Sequence, residues 1–249
     1  MGNIKLITAF VISIILGTST LYSVDFIDSS APSQLVGIGL RLGINKSSTG
    51  INYNNIFSDL EKGTNSWGTG FDAGAVVNLN LREFFTIQPG FFFQNKSFDS
   101  MLVMSVPSST SFACRMTHSR YYYFSIPVMM SFRFNLSNNL KLLTEVGPYF
   151  SFGLGGDTDF KEYASIDQTG NISQQFTVDY FGDSNMKYVQ MKKYDWGFKM
   201  GVGLMLWNRY SFGIYYNAGC RNIANDNDAY MHRASAKNKQ WTFTLGYDF

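Results

Sequence analysis

The segment Trp241-Thr-Phe-Thr-Leu-Gly-Tyr-Asp-Phe249 at the carboxyl end of the chain decides the fold. Side chains of an extended strand point to alternate faces. One face therefore carries the large residues Trp241, Phe243, Leu245, Tyr247 and Phe249, and the other carries Thr242, Thr244, Gly246 and Asp248. This pattern predicts the closing strand of a transmembrane β-barrel, which has lipid on one face. The alternative is the last strand of a secreted β-sandwich.

The first residues predict that the chain is exported. Lys5 supplies a positive charge, residues 6–16 form a short apolar core, and small residues follow as far as Ser23. This is the pattern of a secretory signal peptide, because the apolar core is too short to span a bilayer. We expect a signal peptide over residues 1–23, cleaved near Ser19 or Ser23, and a single mature domain over residues 24–249.

The composition excludes several classes of protein. Aromatic residues make up 17% of the chain and charged residues only 15%, below the roughly 25% charged residues of ordinary soluble domains. Beyond the signal peptide no apolar stretch is long enough for a membrane helix, whereas a membrane barrel needs only half-apolar strands. A net charge of +2 gives no reason to expect a nucleic acid partner.

Alternating apolar and polar residues predict eight strands, each bounded by Gly, Asn, Ser or Asp clusters. The predicted strands are Gln34–Asn45, Trp67–Leu79, Phe85–Asn95, Tyr121–Phe134, Leu140–Leu154, Tyr194–Leu206, Tyr210–Arg221 and Trp241–Phe249. Two further alternating runs, residues 174–180 and 186–191, are expected to extend a hairpin above the membrane. They leave a ten-stranded barrel as the alternative.

Side-chain volume decides which face of each strand points inward. An eight-stranded barrel has an interior that side chains only just fill, and the apolar, aromatic set is too bulky for it. The glycine-rich set is therefore predicted to face the lumen, together with the charged residues Arg41, Asp72, Arg133, Lys141, Glu145, Asp195, Lys199, Arg221 and Asp248. Buried ions must be paired, so we expect a salt-bridge plug, in which Arg133 and Glu145 pair directly or through one neighbour. An ion or solute path is the alternative.

The connections between the strands alternate between short and long. The short links are residues 80–83, 135–139 and 207–209. Short periplasmic turns and long external loops are the rule for outer-membrane barrels, and an even strand number leaves both termini in the periplasm. Pro89, Pro127 and Pro148 fall in the middle of three consecutive strands. Each lacks a backbone donor, so we expect a bulge or a locally broken ladder beside each.

Several short motifs resemble one known family. They are Phe85-Thr-Ile-Gln-Pro-Gly90, Phe124-Ser-Ile-Pro-Val128, Phe132-Arg-Phe134, Glu145-Val-Gly-Pro-Tyr149, Asp195-Trp-Gly-Phe-Lys-Met-Gly-Val-Gly203 and the segment 238–249. The chain is thereby similar, over nearly all of its mature length, to the PorT-like outer-membrane β-barrel family of Gram-negative bacteria. The resemblance implies an eight-stranded outer-membrane barrel but no activity, although one branch of the family serves protein secretion.

No residue pattern predicts an enzyme or a cofactor. Cys114 and Cys220 are the only cysteines, and either a disulfide or two free thiols is possible. His118 and His232 fall in predicted external loops without the spacing of a metal site, so we expect no catalytic, cofactor-binding or metal-binding residues.

The sequence thus predicts a non-enzymatic, porin-like protein of the cell outer membrane whose long loops serve a structural, adhesive or partner-binding role. A component of transport or protein secretion is the alternative. The expected partners are the lipid bilayer and, through the terminal strand, the barrel-assembly machinery. If that machinery reads the strand, deletion of Phe249 should reduce insertion into the outer membrane.

Overall fold

A computed structural model describes residues 24–52, 60–105, 112–163, 174–182, 190–225 and 235–249. The predicted signal peptide, residues 1–23, lies outside this described part of the chain, as do His232 and most of the run 186–191. No helix among the described residues is long and apolar enough to cross a membrane.

The described residues form nine strands. They are β1 (Val36–Asn52), β2 (Leu60–Arg82), β3 (Phe85–Ser105), β4 (Phe112–Ser137), β5 (Leu140–Tyr163), β6 (Gln174–Asp179), β7 (Tyr194–Leu206), β8 (Tyr210–Gly219) and β9 (Ser235–Asp248). The predicted strands are all present. Those of the first half are longer than the alternation indicated, and β4 begins at Phe112 rather than Tyr121.

Eight of the strands close into an antiparallel ring. The order is β1–β2–β3–β4–β5–β7–β8–β9, and β9 pairs with β1 to complete the circle. Strand β6 stays outside the ring, because it pairs only with Asp157–Glu162 at the far end of β5. The prediction of eight strands is therefore confirmed, and the ten-stranded alternative is wrong.

The carboxyl-terminal segment closes the ring as predicted. Leu42 lies opposite Leu245 and Gly39 opposite Asp248 in the register of β1 and β9. The backbone amide of Phe249 adds a hydrogen bond of 2.9 Å to the carbonyl oxygen of Ile38. A closed ring leaves no strand edge exposed at this level. Recognition of this strand by the barrel-assembly machinery stays a prediction.

The two ends of the barrel differ. The end called here the turn end carries the three short connections β2–β3, β4–β5 and β7–β8, and both described chain termini. In the β7–β8 turn, Trp207 and Asn208 have φ values of 52° and 57°, as a tight two-residue hairpin turn requires. The opposite end, called here the loop end, carries the extensions of β1 to β5, the strand β6 and the long connections.

The residues before β1 form a strap across the rim at the turn end. The backbone amide of Asn135 donates a hydrogen bond of 3.0 Å to the carbonyl oxygen of Phe26. The backbone amide of Phe84 donates one of 3.1 Å to the carbonyl oxygen of Asp28. The ring of Phe26 stacks on Phe134 with the centroids 5.0 Å apart. The strap thus satisfies backbone groups of the turns that would otherwise lack partners.

The three mid-strand prolines interrupt the ladders, as predicted. The β2–β3 pairing skips from Val76–Gly90 to Leu79–Ile87, so Pro89 has no ladder partner on that side. The same interruption occurs beside Pro127 in the β3–β4 pairing and beside Pro148 in the β4–β5 pairing. The three gaps follow one another across consecutive strands and form a seam in the wall, because no proline can donate to its neighbouring strand.

Glycine is required beside this seam. A Cβ atom added to Gly147 on β5 would overlap the backbone carbonyl of Val128 on β4, which cannot move without displacing the strand. A Cβ atom added to Gly155, on the same strand, would meet no other atom within 4 Å.

We therefore expect Gly147→Ala to lower the free energy of unfolding by about 1–3 kcal/mol, the usual cost of overpacking. The matched variant Gly155→Ala should leave it nearly unchanged. Urea unfolding of the detergent-folded protein, read by heat-modifiable gel mobility, measures both. Equal stability of the two variants would contradict the steric role of Gly147.

Candidate functional site

The outer surface of the ring is an apolar band. Leu42, Leu245 and Val202 are 64%, 59% and 56% exposed, and their neighbours on the outward face are also large and apolar. A monomeric soluble protein rarely exposes a contiguous apolar patch of more than a few hundred square ångströms. The predicted face assignment is confirmed, and such a band on a closed ring is the surface that lipid requires.

Aromatic rings border this band at both ends. At the turn end, Tyr247 contacts Tyr210 and Phe249 with ring centroids 5.2 and 5.0 Å apart. Near the loop end, Tyr216 pairs with Trp241 at 4.8 Å and Phe152 with Tyr194 at 5.1 Å. Aromatic girdles at both interfaces are typical of barrels that cross a membrane.

The lumen is filled by polar side chains in successive layers, the first of which lies near the turn end. Arg41 on β1 and Asp248 on β9 form an ion pair of 2.8 Å, with both side chains less than a tenth exposed. The amide of Asn78 donates a hydrogen bond of 2.9 Å to the same carboxylate, and Gln88 donates to Asn78. This chain of contacts crosses strands β9, β1, β2 and β3 and closes that part of the interior.

The second layer combines a carboxylate, a phenol and an ammonium group. The hydroxyl of Tyr215 donates to Glu145 at 2.6 Å. The ammonium group of Lys199 lies 4.7 Å from the ring centre of Tyr215 and 5.0 Å from that of Phe92. Cation–π contacts of this kind stabilise a desolvated ammonium group. The remaining cavity between these side chains is only about 20 Å³.

Asp72 is the centre of the third layer. Its carboxylate accepts hydrogen bonds from the side-chain amides of Asn45, Gln94 and Gln240 and from the hydroxyl of Thr242. These donors come from β1, β3 and β9, so the carboxylate ties strands across the lumen. Several donors to one buried carboxylate replace the water that it loses.

The fourth layer lies towards the loop end. Asp195 accepts hydrogen bonds from Asn238 at 2.9 Å and from the hydroxyl of Tyr149 at 3.3 Å. The ammonium group of Lys96 lies 5.1 Å from the ring centre of Tyr123. All five side chains are buried, so this layer also leaves no open path.

An apolar core closes the loop end of the lumen. Tyr180 stacks on Tyr121 with the centroids 4.1 Å apart and the ring planes within 3° of each other. Phe98 and Phe181 make edge contacts with these rings. The other members of this core, here called the cap core, are Ile51, Tyr123, Met191, Ile223, Ala224 and Ala236.

Irregular segments carry the cap core where the short strands β7 and β8 have ended. The amide of Tyr180 donates to Gly156 of β5, and that of Met191 donates to Tyr180. The amide of Lys192 donates to Ile223, whose own amide donates to Ala236 of β9. The wall is thereby continued from β5 to β9 by non-strand backbone whose side chains point into the centre.

The predicted lumen charges are mostly found where the alternation placed them. Arg41, Asp72, Glu145, Asp195, Lys199 and Asp248 are buried in the lumen. Arg133 and Lys141 line a cavity of about 130 Å³ at the mouth of the turn end, and Lys141 forms an ion pair of 3.5 Å with Glu83 of the β2–β3 turn. Arg221 lies past the end of β8 and is only half-buried, so the β8 boundary predicted at Arg221 is wrong.

The direct pair of Arg133 with Glu145 is wrong. Within the described ranges no ion pair joins them, and the register places Ser131 opposite Glu145 and Leu143 opposite Arg133. Arg133 lies two residues before the connection 135–139 and Glu145 six residues after it, so the two side chains are not level across the β4–β5 pair.

Two residues were placed in loops by the sequence but belong to strands. Lys96 lies in β3 on the same face as Gln94, and its side chain is buried in the lumen. His118 lies in β4, not in an external loop, and its Nδ1 atom is 2.5 Å from Asp99 on the outer surface. The outward positions 95, 97 and 99 are polar, so the alternation that located the other strands gave no signal for Lys96.

The cysteines and histidine form no further site. Cys114 is buried in β4, Cys220 is exposed, and both are free thiols, so the disulfide alternative is wrong. Burial raises the pKa of the Cys114 thiol, which favours the unreactive protonated form. Across the described residues no cluster of three or more His, Cys, Asp or Glu is arranged to hold a metal ion.

A closed ring with an apolar, aromatic-bordered outer face and a polar interior defines a transmembrane β-barrel. The sequence of residues 29–225, which is most of the chain, matches the family model of the outer membrane protein beta-barrel domain. The chain belongs to this outer-membrane β-barrel family and resides in the outer membrane, embedded in its bilayer. Following the rule for such barrels, the turn end is periplasmic and the loop end extracellular.

Comparison with solved structures finds similarity at low sequence identity. The attachment invasion locus protein Ail of Yersinia pestis is 11% identical, with 87% of this chain and 100% of that chain covered and a TM-score of 0.37. Neisserial surface protein A is 10% identical, with coverage of 85% and 97% and a TM-score of 0.39. OprG of Pseudomonas aeruginosa is 10% identical, with coverage of 91% and 99% and a TM-score of 0.33. No curated protein sequence matches the chain significantly.

The layer around Asp72 gives a direct test of the lumen. Asp72→Asn would place an amide among amide donors and remove the charge that they surround, so we expect the free energy of unfolding to fall by about 3–5 kcal/mol. The matched variant Asp99→Asn changes a half-exposed carboxylate and should cost less than about 0.5 kcal/mol. Urea unfolding in detergent compares them, and similar stabilities would rule out Asp72 as an organiser of the lumen.

Proposed function

We propose that this outer-membrane barrel is non-enzymatic and acts at the cell surface by contacting a partner, rather than by passing a solute through its lumen. The observation that carries the proposal is the filled interior. Four polar layers and the cap core occupy the lumen from Arg41 near the periplasmic end to Tyr180 at the extracellular end. A barrel of eight strands has no spare width beyond its own side chains.

The extracellular part offers a structured surface for such a partner. Strands β2 to β6 extend beyond the aromatic border and carry a groove of about 610 Å³ on this surface. Asp99, His118, Asp159 and Lys161 line it together with Met101 and Met116. Acidic, basic and adaptable apolar groups within one concave area suit the recognition of another macromolecule.

Local geometry supports the absence of an enzymatic role. His118 and Ser119 are sequence neighbours on β4, and adjacent residues of a strand face opposite sides. His118 contacts Asp99 on the outer surface, whereas Ser119 is buried and lies 3.1 Å from the hydroxyl of Thr158. A nucleophile and its base must lie within hydrogen-bonding distance of each other, so this pair is a poor candidate for hydrolysis.

Transport or protein secretion is the second function expected from the sequence, and the PorT-like resemblance with its secretion branch stays a prediction. A transport path would need the ion pair of Arg41 and Asp248 and the stacked rings of Tyr121 and Tyr180 to separate. The cavity lined by Glu145, Lys199 and Tyr215, which lies between these contacts, is only about 20 Å³, and this favours the surface role.

Conductance in planar bilayers distinguishes the two functions. We expect the purified, folded barrel to insert without producing stable conductance steps, because its lumen is filled by paired side chains. An open porin reconstituted in the same bilayers is the positive control, and heat-modifiable mobility verifies that the sample is folded. Reproducible, long-lived open steps from the wild-type protein would overturn the proposal and favour transport.

A further inference from the structure

Three lysines project from one side of the barrel just beyond its apolar band. Lys46 on β1 and Lys237 and Lys239 on β9 are all exposed. They lie on the outward face, since their strand neighbours Asn45, Asn238 and Gln240 are buried in the lumen. The side chains therefore extend away from the barrel axis, towards the surrounding membrane surface.

The register brings the three lysines close together. Lys46 lies opposite Trp241, Ser48 opposite Lys239, and Gly50 opposite Lys237. Lys46 and Lys239 are thus diagonal neighbours on one face of an antiparallel pair, a relation that separates residues by about 7–8 Å. Lys237 continues the row two residues further along β9, so one anionic group with several oxygens could contact more than one lysine.

The depth of this row is fixed by its neighbours. Ile44 and Phe243, one outward position closer to the periplasm, are 64% and 56% exposed and belong to the apolar band. Trp241, which pairs with Tyr216 in the aromatic border, lies level with Lys46. Tryptophan and tyrosine rings occupy the headgroup level of a bilayer. The lysines therefore begin at the headgroups of the outer leaflet, where long basic side chains extend from apolar surface towards water.

The charge of this row is not balanced by an ion pair with any residue that the structure describes. Of the ion pairs formed within the described ranges, none involves Lys46, Lys237 or Lys239. On the opposite wall a basic side chain is paired, because the guanidinium group of Arg120 lies 3.8 Å from the carboxylate of Asp159. Like charges placed side by side repel one another, and an external anion would remove that repulsion.

We propose that Lys46, Lys237 and Lys239 form a binding site for the phosphate groups of a phosphorylated lipid in the outer leaflet. Basic residues at a membrane surface are each attracted to anionic headgroups by about 1 kcal/mol. The apolar band directly below the row lies where the acyl chains of the same lipid would pack. The site is independent of the partner-binding role proposed above, because it faces the bilayer and not the surrounding medium.

The experiment uses the full mature protein, folded and delipidated in detergent, with native mass spectrometry to count bound lipid. The probes are diphosphorylated lipid A, the same lipid without its phosphates, and inorganic phosphate as a competitor. The double variant Lys46→Gln/Lys239→Gln removes two charges of the site. Arg120→Gln/Lys161→Gln removes two charges from the opposite wall and is the matched control, and heat-modifiable mobility verifies the folding of each protein.

We expect the wild type and the control variant to bind the diphosphorylated lipid with similar affinity, and the site variant to bind it about tenfold or more weakly. The dephosphorylated lipid should bind weakly to all three proteins, and inorganic phosphate at the lipid concentration should not compete. Lys239→Gln alone should give an intermediate loss, which guards against a folding defect of the double variant.

Unchanged binding by the site variant, or equal losses in both double variants, would overturn the proposal. Equally tight binding of the dephosphorylated lipid would show that phosphate is not recognised. Displacement by inorganic phosphate would show that the row binds a soluble anion rather than a lipid headgroup.

Discussion

Lipid on the outside of a narrow ring is the constraint on which the rest of this structure depends. The hydrocarbon core of a bilayer offers no partner to a polar group, so the sheet must close into a ring and charges at that depth must point inward. The ring formed by joining β9 to β1 meets the first demand. The second places the side chains of Arg41, Asp72, Glu145, Asp195 and Lys199 in the lumen. The lumen of an eight-stranded barrel is only just wide enough for side chains. Glycine supplies the room where strands approach each other closely, as at Gly147 beside Val128.

The contents of the lumen then determine where function can reside. Buried charges are stable only with partners, and the partners are supplied from across the ring, as Asn45, Gln94 and Gln240 do for Asp72. Once these layers form, the interior is a packed core of polar groups. The side chains that other molecules can contact then lie on the extracellular surface and at the membrane boundary, where Lys46 and Lys239 are exposed.

Much of this fold could be predicted from the sequence, because residues that face lipid are apolar, residues that face the lumen are small or polar, and the two kinds alternate along each strand. The last nine residues and β7 were located correctly for this reason. The cap core was not predicted. Tyr180 and Met191 end the two alternating runs but lie in irregular backbone, and alternation does not show that their side chains turn into the lumen. Lys96 was missed because the third strand was predicted to end at Asn95, whereas β3 continues to Ser105. The pairing of Arg133 with Glu145 failed because Arg133 lies closer to the β4–β5 turn than Glu145 does, and the register places Leu143 opposite Arg133.

Spin-label accessibility measures which residues of the closing strand face lipid and which face the lumen. Nitroxide labels placed singly at Thr242, Phe243 and Leu245 of the folded barrel in bilayers should report oxygen collisions. We expect frequent collisions at Phe243 and Leu245, which face lipid, and few at Thr242, which is 1% exposed in the lumen. Equal accessibility at all three positions, or the reverse order, would contradict this expectation.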